Sequence, residues 1–494
     1  MSEVPAGLSL GNLDRRPPRP SATLMVTRDS EEGVEVLLGR RAKTMPSFPE
    51  YWAFPGGGIS RCDRESVEML PNLNLAQAAM FRELVEELGL APREGKLVAV
   101  CEEDRMKVVA DKNNWLKLVK SGSISCDSKG VRLISKRTTP PFGPMRFENS
   151  FLHIHAGSEV PDFSLSGQTE FIEARWVKPS RLIAEWKDNS IKVAPPVVSL
   201  LIEVARCLEE TNDDMNTVAL DLETRAPGRR SILFAHGVEV VPVPTATLPP
   251  ADHTNSYLVG DPEGEFILVD AACRTKKAME ELVAAVERHR GELVAMMFTH
   301  RHLDHLGDFE LLKKTFPVPI WASKETSSAI ACDRILVDNE ILKLGNQEWR
   351  VLDTPGHCTG HLCLISDSGL IAGDMVAGIG TILIPPNDGD MMVYLEQLQR
   401  LKDMKPHLIF PSHGPVIPLP QKTLEHYITH RSNRHQRVLA AVSRHSSIKD
   451  IAIDAYSDSP DAHPILAEDQ TLAHLLALGR ENKVVMKEHG WVIV

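Results

Sequence analysis

The sequence predicts a multidomain protein built from α/β and α+β units, and three observations carry that prediction. At 494 residues the chain is longer than one hydrophobic core normally serves, so two or three domains are expected. Short apolar runs alternate with helical patterns, as they do where helices cover sheets. Chemistry-bearing residues gather in two separate places, carboxylates around position 85 and histidines around position 302.

Composition narrows the class. With 43% hydrophobic and 25% charged residues the chain can bury substantial cores, which excludes a mostly disordered protein. A net charge of −12 argues against a protein coated all over by nucleic acid, while leaving room for a local basic face. The first residues, MSEVPAGLSLGNLDRRPPRPS, form a Pro/Arg-rich arm without an apolar segment, and no stretch approaches the roughly 20 apolar residues that cross a bilayer. A cytoplasmic protein with no membrane partner is expected. The eight cysteines are scattered without a CxxC pair, so reduced, mostly buried thiols are expected rather than a disulfide framework. Nothing in the sequence specifies an oligomeric state.

Taken in order, residues 21–27 and 34–38 read as two strands around a turn at 29–33. Trp52-Ala53-Phe54 then runs into the glycine loop Gly56-Gly57-Gly58. In Arg82-Glu83-Leu84-Val85-Glu86-Glu87-Leu88-Gly89-Leu90, helical spacing makes Phe81, Leu84, Val85 and Leu88 the buried stripe, and Gly89 ends the helix. Glu83, Glu86 and Glu87 share a different face, where they repel one another unless cations hold them; hard oxygen ligands favour Mg²⁺ or Mn²⁺.

This stretch resembles the Nudix hydrolase signature, G-x5-E-x7-REUxEExGU, over roughly residues 20–210. The second half matches at every specified position. In the first half Asn74 stands eight residues before Arg82 where the family has Glu, and Gly58 lies 24 positions before Arg82 instead of 14, which puts an insertion of about ten residues into 59–75. Residues 146–151 and 170–177 are similar to the strands that complete the fold, an α/β/α sandwich. The resemblance implies that Glu83, Glu86 and Glu87 hold divalent metal, with Arg82 bracing them and Glu86 and Glu87 catalytic, for attack on a nucleoside diphosphate or a coenzyme-A-like compound. A Nudix domain that has lost activity and serves as a nucleotide sensor stays open as an alternative, with Asn74 as its cue.

The polar run at 211–237 reads as a linker. A second domain, 238–420, begins with apolar strands at 238–243, 255–259 and 266–270, followed by a helix over 275–288 with Ala278, Leu282, Val283 and Val286 on one side. The buried strand 293–298 then runs into Thr299-His300-Arg301-His302-Leu303-Asp304-His305-Leu306-Gly307. In an extended segment His300 and His302 point the same way, and a helical turn after Leu303 brings Asp304 and His305 round from another side. Later strands end in the same manner, 349–352 before His357, 370–372 before Asp374 and 408–410 before His413. A strand gives rigidity and the loop at its end presents a ligand.

These motifs resemble the metallo-β-lactamase superfamily, whose fold is an αββα sandwich. The resemblance implies one zinc at His300, His302 and His357, a second at Asp304, His305 and His413, Asp374 bridging both, and Asp270 orienting ligands behind them. Asp304 is expected to be catalytic as well. Cys358 beside His357 and His361 four residues after it are read as packing residues first, with a ligand role for Cys358 and a cleft-facing place for His361 as the alternatives. A water shared by two such cations loses its proton near neutral pH, so hydrolysis of an ester, thioester or phosphodiester is implied. The loop after Asp374, with Gly378 to Thr381, Pro385 and the Gly389-Asp390 turn, is expected to shape the cleft, and it is similar to glyoxalase-II-like and β-lactamase-like hydrolases.

Residues 421–494 form a last segment. Six Lys or Arg between 422 and 449 (422, 431, 434, 437, 444 and 449) face a single acid, Glu425, and helices at 448–456 and 472–478 precede strands at 484–486 and 491–494. The order is similar to a winged helix. Two readings stand side by side: a basic surface guiding single-stranded RNA into a zinc endoribonuclease, or a packing module that caps the zinc domain.

Overall fold

Along β1 (Arg19–Ser30) the side chains of Ala22, Leu24 and Val26 enter one core while Met25 enters another. That alternation is the period of a strand with both faces covered, and it makes the first unit a sandwich. The computed structural model describes residues 17–70, 72–143, 145–167, 170–225 and 231–494; the expected N-terminal arm up to residue 16 lies outside them. The chain divides into two compact units, one ending at His236 and one running from Gly237 to Val494.

In the first unit β1 is followed by β2 (Gly33–Arg41), β3 (Trp52–Ala53), β4 (Gly56–Gly58), α1 (Arg61–Met69) and α2 (Leu75–Leu88). Next come β5 (Leu90–Arg93), β6 (Lys96–Ala99), α3 (Glu102–Ala110), α4 (Asn114–Ser121), β7 (Arg132–Thr138), β8 (Phe147–His155) and β9 (Phe171–Val177). Helices α5 (Pro179–Lys187), α6 (Pro195–Glu210) and α7 (Met215–Thr224) and the short β10 (Leu233–Ala235) complete it. The sheet runs β3-β2-β1-β8-β7, with β4 on β1 and β9 on β2, and only the β1–β8 pair is parallel. Phe81, Leu84, Val85 and Leu88 of α2 are buried against one face, as the spacing predicts. Leu201 and Val204 of α6 cover the other face.

Two boundaries differ from the sequence reading. The stretch expected as a linker from 211 carries α7, whose Met215, Val218, Ala219 and Leu222 join the core shared with α6; residues 226–230 of it lie outside the described residues. Four apolar positions at helical spacing outweigh the polar residues around them. The expected insertion at 59–75 is not a loop, because α1 fills most of it and Asn74 caps α2 by accepting a hydrogen bond from the Gln77 amide.

The second unit opens with β11 (Val238–Pro244), β12 (His253–Gly260), β13 (Glu265–Val269), α8 (Lys276–Arg288), β14 (Glu292–Met297), α9 (Leu303–Leu306), α10 (Phe309–Thr315), β15 (Ile320–Ala322) and β16 (Arg334–Ile335). A second sheet follows from β17 (Ile341–Leu344), β18 (Gln347–Asp353), β19 (Leu362–Ser366), β20 (Gly369–Gly373) and, after α11 (Met391–Asp403), β21 (Ile409–Pro411). Both sheets keep sequence order, antiparallel early and parallel late. Helix α8 packs outside the first through Leu282 and Ala285, and α11 outside the second through Tyr394 and Leu398. Tyr257 of the first sheet meets Phe410 of the second edge-on at 5.8 Å and donates to the Pro411 carbonyl at 2.6 Å.

The C-terminal part consists of α12 (Pro420–Val442), α13 (Ile448–Ala455), α14 (Pro464–Arg480) and the hairpin β22 (Val484–Lys487) with β23 (Gly490–Ile493). Its expected border near 420 runs through a shared core, since Leu424, Tyr427, Ala473 and Ala477 pack with Leu398 of α11 and Ile409 of β21. No helix among the described residues is long and apolar enough to cross a membrane.

Candidate metal centres

In the first unit the acidic face of α2 meets the glycine loop of β4. A side chain on Gly57 would place its Cβ 2.2 Å from Glu83 Oε1, so only glycine lets the strand approach this closely. The Gly56 amide donates to Glu87 Oε2 at 3.1 Å, while Glu87 Oε1 is buried without a hydrogen-bond partner among the described residues. Arg82, 2% exposed, donates to Glu83 at 2.8 Å and to Glu86 at 3.1 Å. Its other partner is one the sequence reading missed. Asp63 takes Nε at 2.7 Å and Nη2 at 3.0 Å, a bidentate grip on a fully buried carboxylate.

The missing acid is therefore supplied by Asp63 and not sought at Asn74. Five residues separate Gly57 from Asp63, which reproduces the G-x5-acid spacing one residue earlier than expected, and the insertion falls between Asp63 and Arg82. That spacing was the available signal.

All three glutamates are raised above the ordinary carboxylate range. Burial is the main cause for each, followed by crowding among Glu83, Glu86, Glu87 and Glu170, against the pull of Arg82 on Glu83 and Glu86. Glu170, just before β9, faces the same cluster and is itself raised by burial and by Glu83. A buried set of mutually repelling oxygens with one orphaned atom fits a hard divalent cation.

In the second unit several strand ends converge. His300 and His302 follow β14, and α9 turns Asp304 and His305 inward. His300 Nε2 and His357 Nε2 each lie 3.0 Å from His302 Nδ1. Asp374, at the end of β20, sets Oδ2 3.5 Å from His305 Nε2 and 3.8 Å from His357 Nε2, and Oδ1 3.5 Å from His413 Nε2. His413 Nε2 lies 3.6 Å from Asp304 Oδ2. Three overlapping groups close enough to hold an ion result: His300, His302 and His357 with Cys358; His300, His305 and Asp374; and Asp304, His305 and His413. Cys358 thus stands nearer the ligand atoms than expected of a packing residue. His361 does pack, with Nδ1 on the Thr354 hydroxyl at 2.8 Å and Nε2 accepting from the Asp374 amide at 2.9 Å.

Behind these atoms, the far nitrogens are fixed. His357 Nδ1 donates to the Leu383 carbonyl at 2.8 Å and His413 Nδ1 to the His253 carbonyl at 2.9 Å, which leaves both Nε2 lone pairs facing inward. Asp270 accepts from His305 Nδ1 at 2.9 Å and from the amide and hydroxyl of Thr299 at 2.8 and 2.7 Å. Its backbone has a φ of 49°, a strained left-handed conformation held by those bonds.

Charge is balanced unevenly. Burial and neighbouring imidazoles push His302 down to about 2 and His300 well below its ordinary value. Burial also opposes charge on His305, but Asp374, Asp270 and Asp304 outweigh it and raise this ring well above the ordinary value. Burial would raise Asp374, which is instead held well below the carboxylate range by His413 and His305. Imidazoles disfavouring a proton at His300 and His302, a protonated ring at His305, and acids whose Asp304 Oδ2 and two Asp374 oxygens, like His305 Nε2, lack a hydrogen-bond partner among the described residues together fit cations that replace those protons.

Residues 17–119 match the family model of the NUDIX domain, and residues 249–331 and 333–413 match that of the metallo-beta-lactamase superfamily. Both are hydrolase families. Among curated proteins, the chain is similar to a beta-lactamase-like protein 2 homolog from Drosophila melanogaster, 27% identical over 248 residues, which covers 47% of this chain and 84% of that protein. It is also similar to an atrochrysone carboxyl ACP thioesterase from Aspergillus fumigatus, 26% identical over 223 residues, covering 43% of this chain and 67% of that one. Among solved structures, a beta-lactamase domain protein from Burkholderia ambifaria aligns at 22% identity and TM-score 0.47 over 55% of this chain and 96% of that chain. A NUDIX hydrolase from Alicyclobacillus acidocaldarius aligns at 22% identity and TM-score 0.37 over 43% and 99%. The protein is a hydrolase in which a Nudix domain is fused ahead of a metallo-β-lactamase superfamily domain.

Proposed function

We propose that the second unit is a dinuclear zinc hydrolase. The observation that carries this reading is the convergence of His300, His302 and His357 in one group and of Asp304, His305 and His413 in another, joined by His300, His305 and Asp374, with four of the inward atoms lacking a hydrogen-bond partner among the described residues. When bound, zinc supplies Lewis acidity, lowering the pKa of water and polarising the oxygen of the bond under attack. The chain does the rest. Asp374 sits between the two histidine sets, Asp304 orients the attacking water, and Asp270, Leu383 and His253 lock the rings in the tautomer that ligation needs.

An ester or thioester is the favoured substrate class, and the similarity to a protein named a thioesterase supports it. The RNA reading loses the basic face that recommended it. Arg431 and Arg434 are buried, Arg437 and Arg444 pair with Asp458 and Asp454, and only Lys422 and Lys449 of the six are simply exposed.

For the first unit we propose Mg²⁺- or Mn²⁺-dependent hydrolysis of a diphosphate linkage in a nucleoside or coenzyme-A-like compound. Glu83, Glu86 and Glu87 hold the cation, Arg82 braces them, and Asp63 holds Arg82. With that brace complete, hydrolysis is preferred over the sensor reading.

Metal analysis tests the zinc centre. Two zinc per chain are expected, lost in His302→Ala; a chain that takes up no zinc refutes the reading. For the Nudix unit, Mg²⁺-dependent release of phosphate-bearing products should vanish in Glu86→Gln, whereas ligand binding without turnover would leave the sensor.

A further inference from the structure

The rings of His300, His302 and His357 face one another with too few protons. Thr299 gives its hydroxyl proton to Asp270 at 2.7 Å, so the 3.0 Å contact between that hydroxyl and His300 Nδ1 takes its proton from the ring, and His300 Nε2 keeps a lone pair. His357 Nδ1 donates to the Leu383 carbonyl at 2.8 Å, which leaves a lone pair on its Nε2 as well. Both nitrogens point at His302 Nδ1 from 3.0 Å, and a proton there serves only one of them. Asp374 Oδ2 adds a further acceptor: it is fully buried, lacks a hydrogen-bond partner among the described residues and lies 3.8 Å from His357 Nε2. Such an excess of acceptors calls for a cation.

A fourth atom completes the group. Cys358 is fully buried, and its Sγ lies within 4.8 Å of one nitrogen on each of the three rings. Neighbouring residues on a strand point to opposite sides; His357 and Cys358 reach the same side because the chain bends between β18 and β19. Gly356 starts the bend at a φ of 131°, where an added Cβ would come 2.4 Å from the Tyr394 backbone, and its carbonyl accepts from the Asp390 amide at 2.7 Å. Imidazole nitrogen and thiolate sulfur are both donors that tetrahedral zinc takes, and the sulfur is the soft one.

We propose that Cys358 is the fourth protein ligand of the cation held by His300, His302 and His357; the inference rests on the dinuclear reading above. The S–H bond breaks as the sulfur–metal bond forms, and the proton leaves to solvent. The two metal sites then differ in kind, one soft with three nitrogens and a sulfur, the other harder because Asp304 joins His305 and His413.

X-ray absorption at the zinc edge of the zinc-loaded full chain tests the assignment without any substrate. Expected are nitrogen and oxygen neighbours at about 2.0–2.2 Å and a sulfur shell at about 2.3 Å, amounting to one sulfur for each pair of zinc ions. The sulfur shell should vanish in Cys358→Ser and persist in Cys363→Ser, a buried thiol outside the group. Chelator competition should show Cys358→Ser weakening one of the two zinc ions by more than the roughly 10–100-fold typical of residues that only stand behind the ligands, with circular dichroism as the check that the variant folds. Two bound zinc with no sulfur neighbour in the unaltered chain overturn the assignment and leave the dinuclear centre standing, as does a sulfur shell that survives Cys358→Ser. A chain that takes up no zinc defeats the dinuclear reading and this inference with it.

Discussion

Asp63→Ala should cost the first unit about 3 kcal/mol. The substitution strips Arg82 of its 2.7 Å and 3.0 Å bonds and strands a guanidinium that is 2% exposed. Removing one member of a buried pair typically costs about 3–5 kcal/mol, mostly through the unpaired charge left behind. The lower end applies because Glu83 and Glu86 still accept from Arg82, at 2.8 and 3.1 Å. With a urea dependence of roughly 2–3 kcal/mol per molar, the midpoint should fall by about 1 M. Tryptophans lie buried in both units, so hydrogen exchange of the α2 amides through a urea series is the assay, because it reads this helix alone. Asp63→Ala with Arg82→Met should recover most of the loss by removing the stranded charge, though not the metal site. A shift below about 0.5 kcal/mol for the single variant, or no recovery in the double, would refute the claim that this pair holds α2 in place.

Three further outcomes are expected. Burial pushes His153 down to about 3 from 6.5, and its Nε2 sits 2.8 Å from the Thr27 hydroxyl. The native state therefore refuses a proton that the unfolded chain accepts, so stability present above pH 6.5 is lost as pH falls toward 3, by about 1.4 kcal/mol per pH unit; His153→Gln should flatten that slope in urea titrations between pH 6.5 and 4. Stripping zinc with a chelator should lower the Tm by roughly 8–16 °C and zinc should restore it, since a ligand at a thousand times its Kd contributes about 4 kcal/mol; an unchanged Tm would count against the centre. Arg431→Met removes the donors that hold 381–382, and with them the Leu383 carbonyl that fixes His357, so zinc affinity measured by chelator competition should drop about 10–100-fold while the helix content stays intact.

The parts of both centres that were legible in the sequence are those set by local geometry. A strand that ends in His-x-His followed by a helical turn fixes His300, His302, Asp304 and His305 relative to one another within six residues. Each later candidate ligand announces itself because the strand before it is apolar and short. What was not legible depends on contacts between distant segments. Nothing local marks Leu383 or His253 as carbonyl acceptors for the His357 and His413 rings, since any residue offers a carbonyl and only the fold aims it. Asp63 is intermediate: its spacing from Gly57 was there to be read, but counting eight residues back from Arg82 moved the search to Asn74, which the backbone uses as a helix cap.

The C-terminal basic run shows a different failure, one of counting where position mattered. Six positive charges against one acid read as a solvated face only if their helical positions are ignored. Leu424, Tyr427, Arg431, Arg434, Val438 and Val442 follow one another at steps of three or four, a single stripe along α12, and all six are buried. Arg431 and Arg434 therefore fall on the apolar side of the helix by the same arithmetic that places Leu424 there. A charge forced to that side must find acceptors or a ring, and both do: Arg431 takes the Thr381 hydroxyl and the Ile382 carbonyl, and Arg434 lies 3.9 Å over the Tyr456 ring with Asp458 at 2.9 Å. Arginine is suited to this use because its planar fork satisfies several carbonyls at once and its stem packs like an aliphatic chain. Arg431 and Arg434 thus work from inside the fold, where Arg431 ties α12 to the 381–382 segment beside Leu383, whose carbonyl orients His357.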